Sequence, residues 1–282
     1  MMFWTKKKAV TETYSQYGIP GDLFLQKDFR LKIIIDPPKE YFSGKAKKDK
    51  KNFDKLLLIH GCETPDLNDI KKEVLDHAQE FTKVLSFDPE VVARHKNAEL
   101  FCFGSCWVLT DKNGKLTNSP IEYLNSFSTK KKFQLSFIRS NKKELPGHKL
   151  RYEIAPVLQE NYSFDVFFPK ERIETKLPLF KEAMFHLTIE NSRHTNYITE
   201  KVIDCFMSYT IPIYWGCPNL GDHFDMNGVI VFNSAEELRE ILKDLTPESY
   251  QSKLSAVMHN YEVAKKDFAF FFDRINRTIE TL

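Results

Sequence analysis

The sequence predicts an α/β protein built from two Rossmann-like domains that face a cleft, with extra helices at the C-terminal end. Three observations lead there. The chain has 282 residues, enough for two domains of ordinary size. Short β-rich strings alternate with helical strings, the pattern of parallel sheets covered by helices. Polar residues suited to an anionic ligand gather just after one of the apolar strings, where open α/β sheets bind their ligands.

In chain order, Leu31–Ile35, Leu56–Ile59, Val84–Phe87 and Leu100–Phe103 read as strands of the first domain, and Asp69–Phe81 as its clearest helix. The run Lys45–Lys51 reads as a solvated loop. Polar and Lys-rich residues interrupt the apolar strings at Asp111–Asn118 and Ser126–Lys132, so the boundary is expected between residues 127 and 128. Residues 1–127 are expected to form the first domain and 128–282 the second. In the second domain Phe133–Ile138, Phe164–Phe168, Phe185–Ile189, Ile211–Trp215 and Val229–Phe232 read as strands. Ile198, Val202, Cys205, Phe206 and Tyr209 share one helix face between the third and fourth of these. From Pro247 onward the chain reads as helical, with Tyr250, Leu254, Met258 and Tyr261 on one face.

The composition, 42% hydrophobic and 28% charged, is that of a globular protein and excludes a disordered or fibrous chain. A net charge of +2 gives no global reason to expect nucleic acid or an acidic membrane as partner, so local clusters must carry any anion binding. Five cysteines, an odd number without metal-ligand spacing, read as reduced thiols. The start reads as neither signal peptide nor anchor, and no apolar run reaches membrane-spanning length; a cytoplasmic protein is the expectation.

The chemistry concentrates in Glu190-Asn191-Ser192, Tyr197 and Thr199-Glu200-Lys201, followed by Ile211-Pro212-Ile213-Tyr214-Trp215-Gly216. A helix starting near Thr199 offers unpaired N–H groups and a partial positive charge, to which Lys201 adds a full one; together they suit a diphosphate. Glu200 suits ribose hydroxyls, because a carboxylate accepts two hydrogen bonds from a vicinal diol. First-turn acidic residues are also common where nothing binds, and a solvated Lys201 is the competing reading. No Gly-x-Gly-x-x-Gly string follows a strand, which disfavours a dinucleotide-dependent epimerase or dehydrogenase.

These strings resemble the signature of the α1,3/α1,4-fucosyltransferase family, especially its short bacterial and viral members. The resemblance is close over about 50 residues and looser from Phe133 to Phe232. It implies the GT-B fold, inversion at the anomeric carbon, and GDP-fucose held by the second domain without a cofactor. It also implies a phosphate-binding arginine after that domain's first strand, where Ser136-Phe-Ile-Arg139-Ser140-Asn141 and Pro146-Gly-His-Lys-Leu-Arg151 stand. Arg151 is the choice and Arg139 the runner-up, since a guanidinium fork binds two phosphate oxygens at once. Donor contacts are expected from Arg151, Ser140, Asn141, Glu190, Asn191, Ser192, Tyr197, Thr199, Glu200 and Lys201, with His194 as a further candidate. No Asp-x-Asp triplet occurs, so these cations are expected to replace a metal ion on the leaving diphosphate.

Inverting transfer needs a base for the acceptor hydroxyl. The string Gly61-Cys62-Glu63 resembles the family's Gly-Glu segment with a cysteine inserted, which makes Glu63 the candidate and leaves Asp66 and Asp88 as rivals. Trp107 reads as a core residue, or else as a platform for an acceptor sugar; His60 and His186 read as structural. The expected activity is fucosyl transfer to a glycan or glycoprotein acceptor. Another donor such as UDP-xylose, and a silent nucleotide- or carbohydrate-binding module, are the alternatives.

Overall fold

The computed structural model describes residues 10–15, 21–61, 64–108, 127–169, 173 and 175–282. They group into two compact units, Met1–Phe103 with Phe272–Leu282, and Gly104–Phe271. The contact boundary therefore lies at residues 103 and 104, with 272–282 returning to the first unit, whereas the composition shift lies near 128. Backbone contacts tie the stretch after Phe103 to the second unit, as where Cys106 N–H donates to Ala269 O at 3.0 Å.

In the first unit β1 (Thr11–Ser15), β2 (Leu31–Ile35), β3 (Lys55–His60), β4 (Lys83–Ser86) and β5 (Ala98–Leu100) form one parallel sheet in sequential order. Every residue of β2 is buried, as expected of a parallel strand covered on both faces. The polar string of β1 carries no apolar run to reveal it and is an edge strand. The helix expected over Asp69–Phe81 is α2 (Lys71–His77) closed by one tighter turn, Ala78–Glu80. Asp88 caps α3 (Pro89–Arg94), accepting from Glu90 and Val91 N–H at 2.8 and 3.3 Å. The lysine run is helical instead of a loop: Tyr41–Lys45, wound as a π-helix, continues into α1 (Ala46–Asn52). Its buried Tyr41, Phe42 and Ala46 anchor one side in the core, which the density of lysines conceals in the sequence.

In the second unit β6 (Lys132–Ser136), β7 (Asp165–Phe167), β8 (Ala183–Ile189), β9 (Ile211–Trp215) and β10 (Ile230–Val231) pair in parallel in the order β10-β9-β8-β6-β7. The chain leaves β6 for β7 on one side and returns to β8 on the other. The order reverses between β6 and β8, and a crevice opens at the carboxyl ends of such a pair. The helices are α4 (Pro146–Glu153), α5 (Leu177–Lys181), α6 (Glu200–Met207), α7 (Ala235–Lys243) and α8 (Pro247–Asp267), with α9 (Phe271–Glu280) passing into the first unit. Tyr250 and Tyr261 of α8 are buried, but Met258 is 48% exposed; the buried stripe runs through Val257 and Ala264 instead. That stripe also follows helical spacing, so periodicity alone left room for either.

Candidate functional site

Two short helices converge on the reversal point. α4 starts against the end of β8: Gly147 N–H donates to Asn191 O at 2.9 Å, and a Cβ on Gly147 would lie 1.8 Å from the Glu190 carbonyl oxygen. Only glycine permits that approach, which carries Arg151 one turn later to the end of β8. Arg151 is 7% exposed, and its Nη2 donates to Ile189 O and, at 3.2 Å, to Asn191 Oδ1. Both partners are neutral, and its other N–H groups bond to none of the described residues. Burial lowers the guanidinium pKa, opposed by the negative field of Glu190 and Glu200.

α6 is capped by Thr199, whose Oγ1 donates to Glu190 Oε2 at 2.6 Å while its N–H donates to Glu190 Oε1 at 3.1 Å. Lys201 Nζ stands 3.0 Å from Thr199 Oγ1, 3.3 Å from Glu190 Oε2 and 3.2 Å from Glu200 Oε1. Burial opposes ionisation of Glu200, yet Lys201 and Lys176 hold its carboxyl down at about 2. Lys176 Nζ lies 3.7 Å from Glu200 Oε1 and 2.8 Å from Asp204 Oδ2. Burial works against that ammonium too, but Asp204 and Glu200 push it up to about 12. Asp204 Oδ1 accepts from Trp107 and Val108 N–H at 2.7 and 2.9 Å, tying residues 107 and 108 to α6.

The loop between β8 and α6 is pinned from the far side. Asn196, in the left-handed region at φ 60°, donates its N–H to Asn219 Oδ1 at 2.8 Å and accepts from Asn219 Nδ2 at 2.7 Å. His223 Nε2 lies 3.0 Å from the same Asn196 oxygen. Gly216 leaves room for Glu190, since a Cβ there would lie 2.5 Å from Glu190 Cγ.

The sequence-derived residues separate by depth. Arg151, Asn191, Thr199, Glu200 and Lys201 come together at the reversal point. Glu190 is fully buried and spends its carboxylate on Thr199 and Lys201, so it holds the site from beneath. Ser192 is fully buried and its Oγ has no hydrogen-bond partner among the described residues. Tyr197 is buried with its ring edge-on to His194. Ser140 and Asn141 are exposed on the loop after β6, with Ser140 O accepting from Tyr152 OH at 3.3 Å. Arg139, the runner-up, stacks 4.1 Å from the Tyr152 ring centroid. Glu63 lies outside the described residues, and so does Cys62. Of its rivals, Asp88 is occupied by the α3 cap and a 3.0 Å pair with Lys71, and Asp66 Oδ2 lies 3.4 Å from Thr64 Oγ1. His60 and His186 are buried against Ser86 and Ser136 at 2.9 and 2.8 Å, and burial lowers them to about 4 and about 3. Trp107 is 48% exposed and not a core residue. Lys176 and Asp204 escaped the sequence reading; the one signal was a buried helix face interrupted by an aspartate.

Known proteins resemble the chain in its second unit most directly. Residues 127–265 match the model described as glycosyltransferase family 10 (fucosyltransferase), C-terminal part. Over 53 residues the chain is 40% identical to the alpha-(1,3)-fucosyltransferase FucT of Helicobacter pylori, a stretch spanning 19% of this chain and only 11% of that protein. Among solved structures, an α1,3-fucosyltransferase with GDP-fucose superposes with a TM-score of 0.52 at 19% identity, covering 89% of this chain and 77% of the other. HepE (Alr3699) of Anabaena with UDP-glucose gives 0.57 at 12% identity, covering 89% and 79%. The likenesses, together with the two parallel-sheet units, show the GT-B fold class.

Proposed function

From a chain whose residues 127–265 match the model of the glycosyltransferase family 10 (fucosyltransferase) C-terminal part, we propose an enzyme that transfers L-fucose from GDP-fucose to a glycan acceptor. Transfer proceeds with inversion and without a metal ion. One observation carries the reading: Arg151 is a buried guanidinium with neutral hydrogen-bond partners and no ion pair among the described residues. A buried charge is costly unless an opposite charge meets it, and a diphosphate at the reversal point supplies that charge. Ser192 Oγ, buried beside Asn191 and without a partner among the described residues, supports a ligand there.

In this reading Arg151 and Lys201 take the negative charge that grows on the β-phosphate as its bond to the anomeric carbon breaks. Glu200, held ionised, accepts the ribose hydroxyls. The acceptor oxygen attacks the opposite face of the sugar, its proton passes to the carboxylate of Glu63, and GDP leaves. Lys201 is bracketed by Glu190 and Glu200, so its share of the diphosphate is smaller than that of Arg151.

The test incubates the chain with GDP-fucose and a panel of β-galactoside and N-acetylglucosaminide acceptors, in EDTA, following GDP release and product mass. Transfer that persists in EDTA is expected. Loss of transfer restored by Mn²⁺ would refute metal independence. In parallel, calorimetric titration with GDP and UDP decides the nucleotide, and tighter binding of UDP would overturn the donor.

A further inference from the structure

The six lysines of residues 39–51 form the densest basic run among the described residues of the first unit, where Lys27, Lys55 and Lys96 likewise make no ion pair with a described residue. Arg30, Lys32, Lys71, Lys72, Lys83 and Arg94 each pair with a carboxylate. Lys39, Lys47, Lys48, Lys50 and Lys51 are exposed and make no ion pair among the described residues, while Lys45 lies over the Tyr14 ring at 3.8 Å. The two acids of this stretch do little to offset them. Glu40 precedes the helical turns, and Asp49 is buried, accepting from Tyr41 OH at 2.8 Å.

Helical geometry turns this composition into a surface. Steps of about 100° per residue place Lys47, Lys48, Lys50 and Lys51 within one arc of about 160°, opposite the buried Ala46 and Asp49. Concentrating like charges on one arc is unfavourable in isolation. The net charge of +2 shows that general basicity does not produce it.

We propose that this lysine face of α1 docks the chain on an anionic lipid surface. Three features favour lipid over nucleic acid. The cations are all lysines, compact point charges without the guanidinium fork that reads individual phosphates. The aromatic residues of the segment, Tyr41 and Phe42, are buried and offer no stacking platform for bases. The surface is the convex side of a helix, from which long, flexible lysine side chains on either flank can reach down to a planar sheet of charge. Clusters of this size adsorb to anionic leaflets through electrostatics alone, without insertion.

The test is co-sedimentation of the whole chain with phosphatidylcholine vesicles that contain or lack phosphatidylglycerol. Binding is expected only to the anionic vesicles, and is expected to fall with added salt. The variant Lys47→Gln/Lys48→Gln/Lys50→Gln/Lys51→Gln is expected to reduce partitioning on the order of 100-fold or more, from the contribution of each lysine near such a surface. A control with the same loss of charge on α7 and α8, Lys243→Gln/Lys253→Gln/Lys265→Gln/Lys266→Gln, is expected to retain most of it. Unchanged circular dichroism and melting temperature establish that both variants fold. Absence of binding to anionic vesicles, equal losses in the two variants, or binding of a fluorescent oligonucleotide in preference to vesicles would each overturn the proposal.

Discussion

At the scale of single residues, Arg151 carries the most testable charge. Its replacement by Ala should weaken GDP binding by about 1.5–3 kcal/mol, the range for hydrogen bonds to charged groups, and GMP binding much less. Titration calorimetry with both nucleotides checks this, and equal losses would remove Arg151 from the β-phosphate. Glu63→Gln should reduce turnover by roughly 10²-fold or more with GDP affinity unchanged, in line with a general base; near-normal turnover would move the role to another carboxylate. His60 and His186 make a pH prediction. Both are depressed below their unfolded value of 6.5, to about 4 and about 3. The unfolded chain therefore binds protons that the folded chain does not, and stability is lost as pH falls from about 6.5 toward 4. Each histidine contributes a slope of about 1.4 kcal/mol per pH unit in that window. Denaturant unfolding of His186→Asn across the window should show a correspondingly smaller slope than the parent. Arg151, Glu200 and Lys201 were legible in the sequence because residue type and helix position together restrict their chemistry. Lys176 was not, since its partner Asp204 lies 28 residues away and no local pattern joins them.

At the scale of elements, the site depends on how two helices meet the end of β8. Gly147 has no room for a side chain, so Gly147→Ala must push α4 away from the Glu190 carbonyl. Overpacking of this kind costs about 1–3 kcal/mol of stability, and nucleotide affinity should fall with it because Arg151 moves along. A denaturation midpoint and a GDP titration measure the two effects, and a fully stable variant with normal affinity would show that the contact is dispensable. The start of α6 was read from its sequence to within one residue, because Thr199 followed by an acidic first turn is a strong cap signal. The lysine helix was misread for the opposite reason. Its exposed face dominates the composition, and the two large apolar residues that anchor it, Tyr41 and Phe42, precede the run.

At the scale of the whole molecule, the two units share a chain order that does not match their contacts. Residues 272–282 return to the first unit, where Asn276 Oδ1 accepts from Leu25 N–H at 2.8 Å and Arg274 donates to Cys102 O at 2.9 Å. Truncation after residue 271 should therefore raise hydrogen exchange at the Leu25 amide, which loses Asn276 as its acceptor, while the GDP affinity proposed for the second unit persists. Loss of nucleotide binding on truncation would show that the second unit needs those residues. No described helix is long and apolar enough to cross a membrane. The sequence by itself determined the α/β class, all five strands of the second unit, the start of α6 and the residue types at the reversal point. Each of these follows from local periodicity, caps and side-chain chemistry within a few turns. Tertiary structure alone decided the depth of each residue, placing Glu190 beneath the site and Trp107 at the surface. It also decided the Lys176–Asp204 pair, the close approach at Gly147 and the return of the last helix. Those depend on which distant segments pack together, and burial, charge pairing and backbone approach are properties of that packing and not of any local string.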